Sequence, residues 1–101
     1  MEAAERFALL KNILWDYSIS AEDIEAVLRG EIKQAGHYNQ EMIFLKILES
    51  YSWFTVLQLF SPGQVKYLLT TQVVKKLRSP SLRLKYEYVR QRLQQVVPTS
   101  G

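Results

Sequence analysis

Four residues near the middle of the chain, Ser61-Pro62-Gly63-Gln64, do more than any others to limit how it can fold. A serine that can cap, a proline at the first helical position and a glutamine three residues after the cap together specify a helix start. Phe60 before the serine and Val65 beyond it have the spacing of a hydrophobic staple. The preceding run, Trp53 to Phe60, is apolar except for Thr55 and Gln58. It is too short for periodicity to separate a buried helix from a buried strand. A helix after the cap puts Val65, Leu68, Leu69, Gln72, Val73 and Leu77 on one broad face. The β-branched pair Thr70-Thr71 weakens it half-way and leaves the continuity of 62–78 open.

On the opposite face, Gln64, Tyr67, Thr71, Lys75 and Arg78 follow helical spacing and make a polar stripe. A short apolar helix, a tight turn and a helix with a basic stripe form the outline of a helix-turn-helix. The same stripe also reads as an ordinary solvated face, its late cations favoured by the helix dipole.

The flanking segments carry helical signals of the same kind. Residues 2–17 predict a helix with Phe7, Leu10, Ile13, Leu14 and Tyr17 on its apolar side. Ser20 predicts a second start, with Ile19 and Ile24 as its staple and Gly30 as its stop. Gly36 and Asn39 bracket a loop, and Asn39 caps a third helix with Tyr38 and Ile43 as staple. Ser50 and Ser52 mark a break before Trp53. Ser79-Pro80-Ser81 launches the last helix, with Leu82, Tyr86, Val89, Leu93 and Val96 in a narrow stripe. No sustained period of two and no Asn-Gly or Asp-Gly turn appears, so no strand is expected. The expectation is an all-α bundle of six or seven short helices in one domain, 1–97, with a frayed tail at 98–101.

Charge is more informative in its distribution than in its sum of +3. Residues 1–50 hold five Lys and Arg against nine Asp and Glu, a net −4; residues 51–101 hold eight against one, Glu87, a net +7. A basic half can draw in nucleic acid. It can equally pair with an acidic half, in the same chain or across a homodimer. At 48% hydrophobic the chain has enough apolar side chains for a core and does not read as disordered. No apolar run reaches the ~18 residues that cross a bilayer, and no secretory signal opens the chain, so the cytoplasm is the expected compartment.

Reactive chemistry is hard to find. There is no cysteine, and His37 is the only histidine, so a His/Cys metal site is excluded. Glu22, Asp23 and Glu25 are better explained as first-turn acids of a capped helix than as a catalytic pair. Trp15 reads as a core anchor, and Asp16 beside it as a cap or a specific contact. Phosphate-binding glycine loops, nucleophile elbows and two-histidine zinc motifs are all missing. No cofactor, small-molecule substrate or enzymatic activity is expected.

The last helix has a more pointed pattern. Arg83 and Arg90 border one edge of its apolar stripe, and Lys85 and Arg92 the other. Cations along both edges suit packing against an acidic neighbour, their stems lying on apolar surface. The alternative is a phosphate-contacting surface that adds Lys75, Lys76 and Arg78, with Tyr86 and Tyr88 interleaved.

Three segments, Ile13–Tyr17 (ILWDY), Tyr51–Leu69 (YSWFTVLQLFSPGQVKYLL) and Leu77–Leu93 (LRSPSLRLKYEYVRQRL), together resemble a family of small, functionally uncharacterised bacterial proteins. Its members are helical and often lie beside a nucleotidyltransferase-like abortive-infection toxin. The resemblance covers most of the chain, in hydrophobic and structural positions. It implies an antitoxin-like or accessory role and brings no catalytic set. The expected function is therefore a non-enzymatic protein-interaction module, binding a neighbouring gene product or itself. The alternative is a nucleic-acid-binding protein of helix-turn-helix type. Either would use Gln64, Tyr67, Thr71, Lys75, Arg78, Arg83, Lys85, Arg90 and Arg92.

Overall fold

The computed structural model describes residues 2–13 and 18–97. The described elements are almost all helical: α1 Ala3–Asn12, α2 Ala21–Leu28, β1 Gln34–Ala35, β2 Tyr38–Asn39, α3 Gln40–Ser50, α4 Trp53–Leu59, α5 Pro62–Leu68, α6 Thr71–Lys76 and α7 Pro80–Val96. Where one domain is expected over 1–97, the chain divides into two compact units, Met1–Ser52 and Trp53–Gly101. The division falls where the charge changes sign, so the first unit is the acidic half and the second the basic one.

In the acidic unit the caps form where the residue types require them. The Ser20 hydroxyl accepts the Asp23 amide, and Ile19 and Ile24 beside it are buried. Helix α2 ends in Gly30 at φ +79°, with the Gly30 amide donating to Val27 and the Glu31 amide to Ala26. That paired hydrogen bonding needs a left-handed residue, which glycine adopts without a Cβ penalty. Gln40, opening α3, donates to the Val27 and Leu28 carbonyls at 3.4 and 3.1 Å, closing the end of α2 from a neighbouring helix. The Asn39 side chain caps α3 through the Met42 amide at 2.9 Å. Tyr51 donates its hydroxyl to the Leu9 carbonyl at 2.5 Å, joining the two ends of this unit.

Two features of this unit depart from expectation. Residues 34–39 form an antiparallel hairpin, Gln34 opposite Asn39 and Ala35 opposite Tyr38, where a plain loop is expected. Its turn is Gly36-His37, with Gly36 at φ +58°, the glycine-first arrangement of a two-residue hairpin loop. Helix α1 ends at Asn12 with Ile13 as its C-cap, short of the expected Tyr17. Leu14, Trp15, Asp16 and Tyr17 lie outside the described residues, as does the 98–101 tail.

In the basic unit the Ser61 signal is realised in full. Its hydroxyl accepts the Gln64 amide at 3.2 Å, and the Gln64 side chain accepts the Ser61 amide at 2.9 Å. Phe60 and Val65 are both buried, completing the staple. The helix does not continue to residue 78. Leu69 leaves helical geometry at ψ 81°, and Thr70 starts a new helix by accepting the Val73 amide. Threonine gives the backbone a local alternative to the helix, and here it acts as a cap. Ser79 and Pro80 then begin α7 as expected. Helix α7 packs against α5 and α6. Its Tyr86 is fully buried, with Trp53 of α4 edge-on to its ring at 6.0 Å between centroids.

Candidate functional site

The nine residues marked out by sequence all fall in the basic unit, distributed over three helices and the segment between α6 and α7. Gln64 and Tyr67 stand on α5, Thr71 and Lys75 on α6, and Arg78 beyond the Leu77 C-cap. The break at Leu69-Thr70 divides the stripe, so no single helix presents Gln64 through Arg78 as a recognition helix would. Gln64 is committed to the capping box. Tyr67 is 73% exposed.

The four cations of α7 separate into two kinds. Arg83 donates from Nη1 to the Leu77 carbonyl at 2.6 Å and the Arg78 carbonyl at 3.2 Å. It thereby satisfies acceptors that the end of α6 would otherwise leave open. Arg90 binds Glu87 through both oxygens, at 2.6 and 3.0 Å, and Gln91 adds a third contact at 3.1 Å. Hydrogen bonding from Arg90, then from Gln91, holds the Glu87 carboxyl below its ordinary range, and the same pairing pushes Arg90 up. The only acid of the basic half is therefore already paired.

Lys85 and Arg92, on the other edge, face solvent. Lys85 lies 5.6 Å from the Tyr86 ring centroid, and Arg92 reaches Gln95 at 3.2 Å. On this outward side α7 also presents Leu84, 77% exposed, and Tyr88, 65% exposed, one turn apart. Leu84 has no place in the sequence-based expectation, where Tyr88 enters only beside Tyr86 in the alternative phosphate-contacting surface. The four-residue spacing of Leu84 and Tyr88 on the far face was the available signal.

Between α6 and α7 runs an open groove of about 550 Å³, lined by Thr71, Val74, Lys75, Pro80, Arg83, Leu84 and Glu87. It thus brings together Thr71, Lys75 and Arg83 of the expected set. Lys75 is exposed and makes no hydrogen bond or ion pair among the described residues.

Elsewhere the structure offers little to a reactive site. His37 is exposed at the hairpin tip. Among the described residues no three of His, Cys, Asp and Glu gather to hold a metal ion. Glu25 of the acidic unit is paired with Arg6 at 2.7 Å and Arg29 at 3.8 Å. No described helix is long and apolar enough to cross a membrane. No family model, curated protein or solved structure matches the chain.

Proposed function

We propose that this protein is a binding module without catalytic chemistry, acting in the cytoplasm, and that it docks a protein partner through the outward face of α7. The observation that carries this reading is the pair Leu84 and Tyr88, largely exposed, with the exposed Lys85 and Arg92 beside them on the same helix. Interface centres are enriched in tyrosine and arginine around apolar anchors. Fully burying side chains of this size contributes about 1.5–3 kcal/mol each. The family resemblance supplies the biological form of the proposal: an antitoxin-like or accessory protein for a nucleotidyltransferase-like enzyme.

The test is co-purification with the neighbouring gene's product, followed by light scattering to obtain the stoichiometry. A defined complex with the native chain, lost in the Leu84→Asp/Tyr88→Ala variant, supports the reading. A native chain that stays monomeric and captures nothing overturns it.

A second reading rests on the eight cations against one acid in residues 51–101, with Tyr67 and Tyr88 exposed among them. Those features also suit nucleic acid, held by its phosphates and by stacking. Binding of this kind weakens steeply as salt rises. Replacing Lys75 and Arg78 together would then reduce affinity and flatten the salt dependence. Protein docking is preferred because Leu84 on the same face adds nothing to phosphate contact.

A further inference from the structure

The groove between α6 and α7 differs from an ordinary apolar furrow in how its charges are committed. Val74, Pro80 and Leu84 give it apolar walls, and its volume of about 550 Å³ is that of a pocket for a ligand or a side-chain anchor. Three charged residues line it. Glu87 is neutralised by Arg90, whose Nε and Nη2 bond its two carboxylate oxygens. Lys75 has no partner among the described residues.

Arg83 is the most telling of the three. Its Nη1 is held by two backbone carbonyls, of Leu77 and Arg78, and this fixes the guanidinium plane. Its Nε and Nη2 donors have no partner among the described residues. An arginine so held has lost little further freedom to give up, and its unspent edge is the fork that matches a carboxylate.

We infer that the α6–α7 groove binds an acidic segment of a protein partner, a carboxylate meeting Arg83 and Lys75 while an adjoining apolar side chain lies against Val74 and Leu84. Charge selects this occupant: the basic half carries no unpaired acid of its own to answer these cations. This inference rests on the docking reading and gives that partner its chemistry. It places the contact at the junction of two helices rather than along α7 alone.

The probe is a set of blocked dipeptides, N-acetyl-Glu-Leu-amide, its Gln-Leu counterpart and its Lys-Leu counterpart. Each is titrated to millimolar concentration against the full isotope-labelled chain by NMR. The expected result is saturable shifts at Val74, Lys75 and Leu84 with Glu-Leu, about tenfold or more weaker with Gln-Leu, and none with Lys-Leu. Lys75→Glu changes an exposed helix position and keeps the fold, so it should abolish the Glu-Leu shifts. Arg83→Met should do the same, but it also uncaps α6 and is therefore the secondary variant. Equal shifts with all three peptides, or none at the groove, overturn the inference.

The partner complex separates this failure from that of the docking reading. If the native chain captures its partner and Lys75→Glu leaves the affinity unchanged, docking stands and the groove assignment falls. If a concentration-dependent dimer appears and Lys75→Glu breaks it, a second copy fills the groove and the outside partner is overturned. Duplex DNA competing with Glu-Leu for the same resonances, and binding more tightly, would likewise overturn it.

Discussion

Tyr86 allows the packing of the basic unit to be tested in a single atom. Its side chain is fully buried, and its hydroxyl has no hydrogen-bond partner among the described residues. A buried donor left unpaired costs about 1–3 kcal/mol of desolvation with no return. Tyr86→Phe removes that oxygen and keeps the ring that stands edge-on to Trp53. The expected outcome is therefore a gain, of about 1 kcal/mol. For a domain of this size that corresponds to a rise of roughly 4–8 °C in Tm. In urea, with a slope of about 1–3 kcal/mol/M, the midpoint should rise by some tenths of a molar unit to about 1 M. Tyr86→Ala is the control and should cost about 3–5 kcal/mol, because it leaves a cavity. The assay is urea unfolding followed by far-UV circular dichroism. An alkaline titration gives an independent reading. Burial raises the Tyr86 phenol above its ordinary value of 10.0. The folded state then binds the proton more tightly than the unfolded chain. This contribution is fully present below pH 10 and is lost as pH rises through the folded value. Tyr86→Phe should lack that part of the alkaline loss, while burial of Tyr51 contributes a separate part in both proteins. A Tyr86→Phe protein less stable than the native one by more than about 0.5 kcal/mol would refute the reasoning, because the hydroxyl would then have to be well bonded.

Gly30 sits at φ +79° with open space where a Cβ would be, so Gly30→Ala should cost only the backbone term, about 1–2 kcal/mol by urea unfolding, and Gly30→Asn less. Ser61→Ala removes one half of the reciprocal cap at the start of α5 and should destabilise by about 1 kcal/mol, read as a lower Tm. Glu87 is held below its ordinary 4.5 by Arg90 and Gln91, so its pairing stabilises α7 above about pH 4.5 and is lost as pH falls through the lowered folded value. Glu87→Gln should flatten acid unfolding in that window.

What the sequence could announce was local. Ser20, Asn39, Ser61 and Ser79 each cap a helix, because the signal and its amide partner lie three residues apart. The stop at Gly30 and the break between Ser50 and Trp53 were legible for the same reason. The 34–39 hairpin was not, since two-residue strands are too short to show a period and Gly-His is a less familiar turn than Asn-Gly. Thr70-Thr71 hinted at a break, but only the turn of the backbone at Leu69 makes Thr70 a cap rather than a weak helical residue. For the candidate site, Arg83 and Arg90 looked equivalent to Lys85 and Arg92 as charges flanking a stripe. For Arg90 the sign was local, Glu87 standing three residues before it, whereas setting Arg83 apart required knowing that the end of α6 lies against it, a tertiary fact without a sequence period.

The brevity of α5 and α6 has a kinetic implication. Helices of seven and six residues are far below the length at which a helix persists in water by itself. Of the helices in the basic unit only α7, with 17 residues, reaches that length, and it follows α5 and α6 out of the ribosome. Both short helices must therefore wait, largely unformed, for a scaffold synthesised after them. Until it arrives, the nascent basic segment exposes Val65, Leu68 and Val73 to whatever chaperone stands at the tunnel exit.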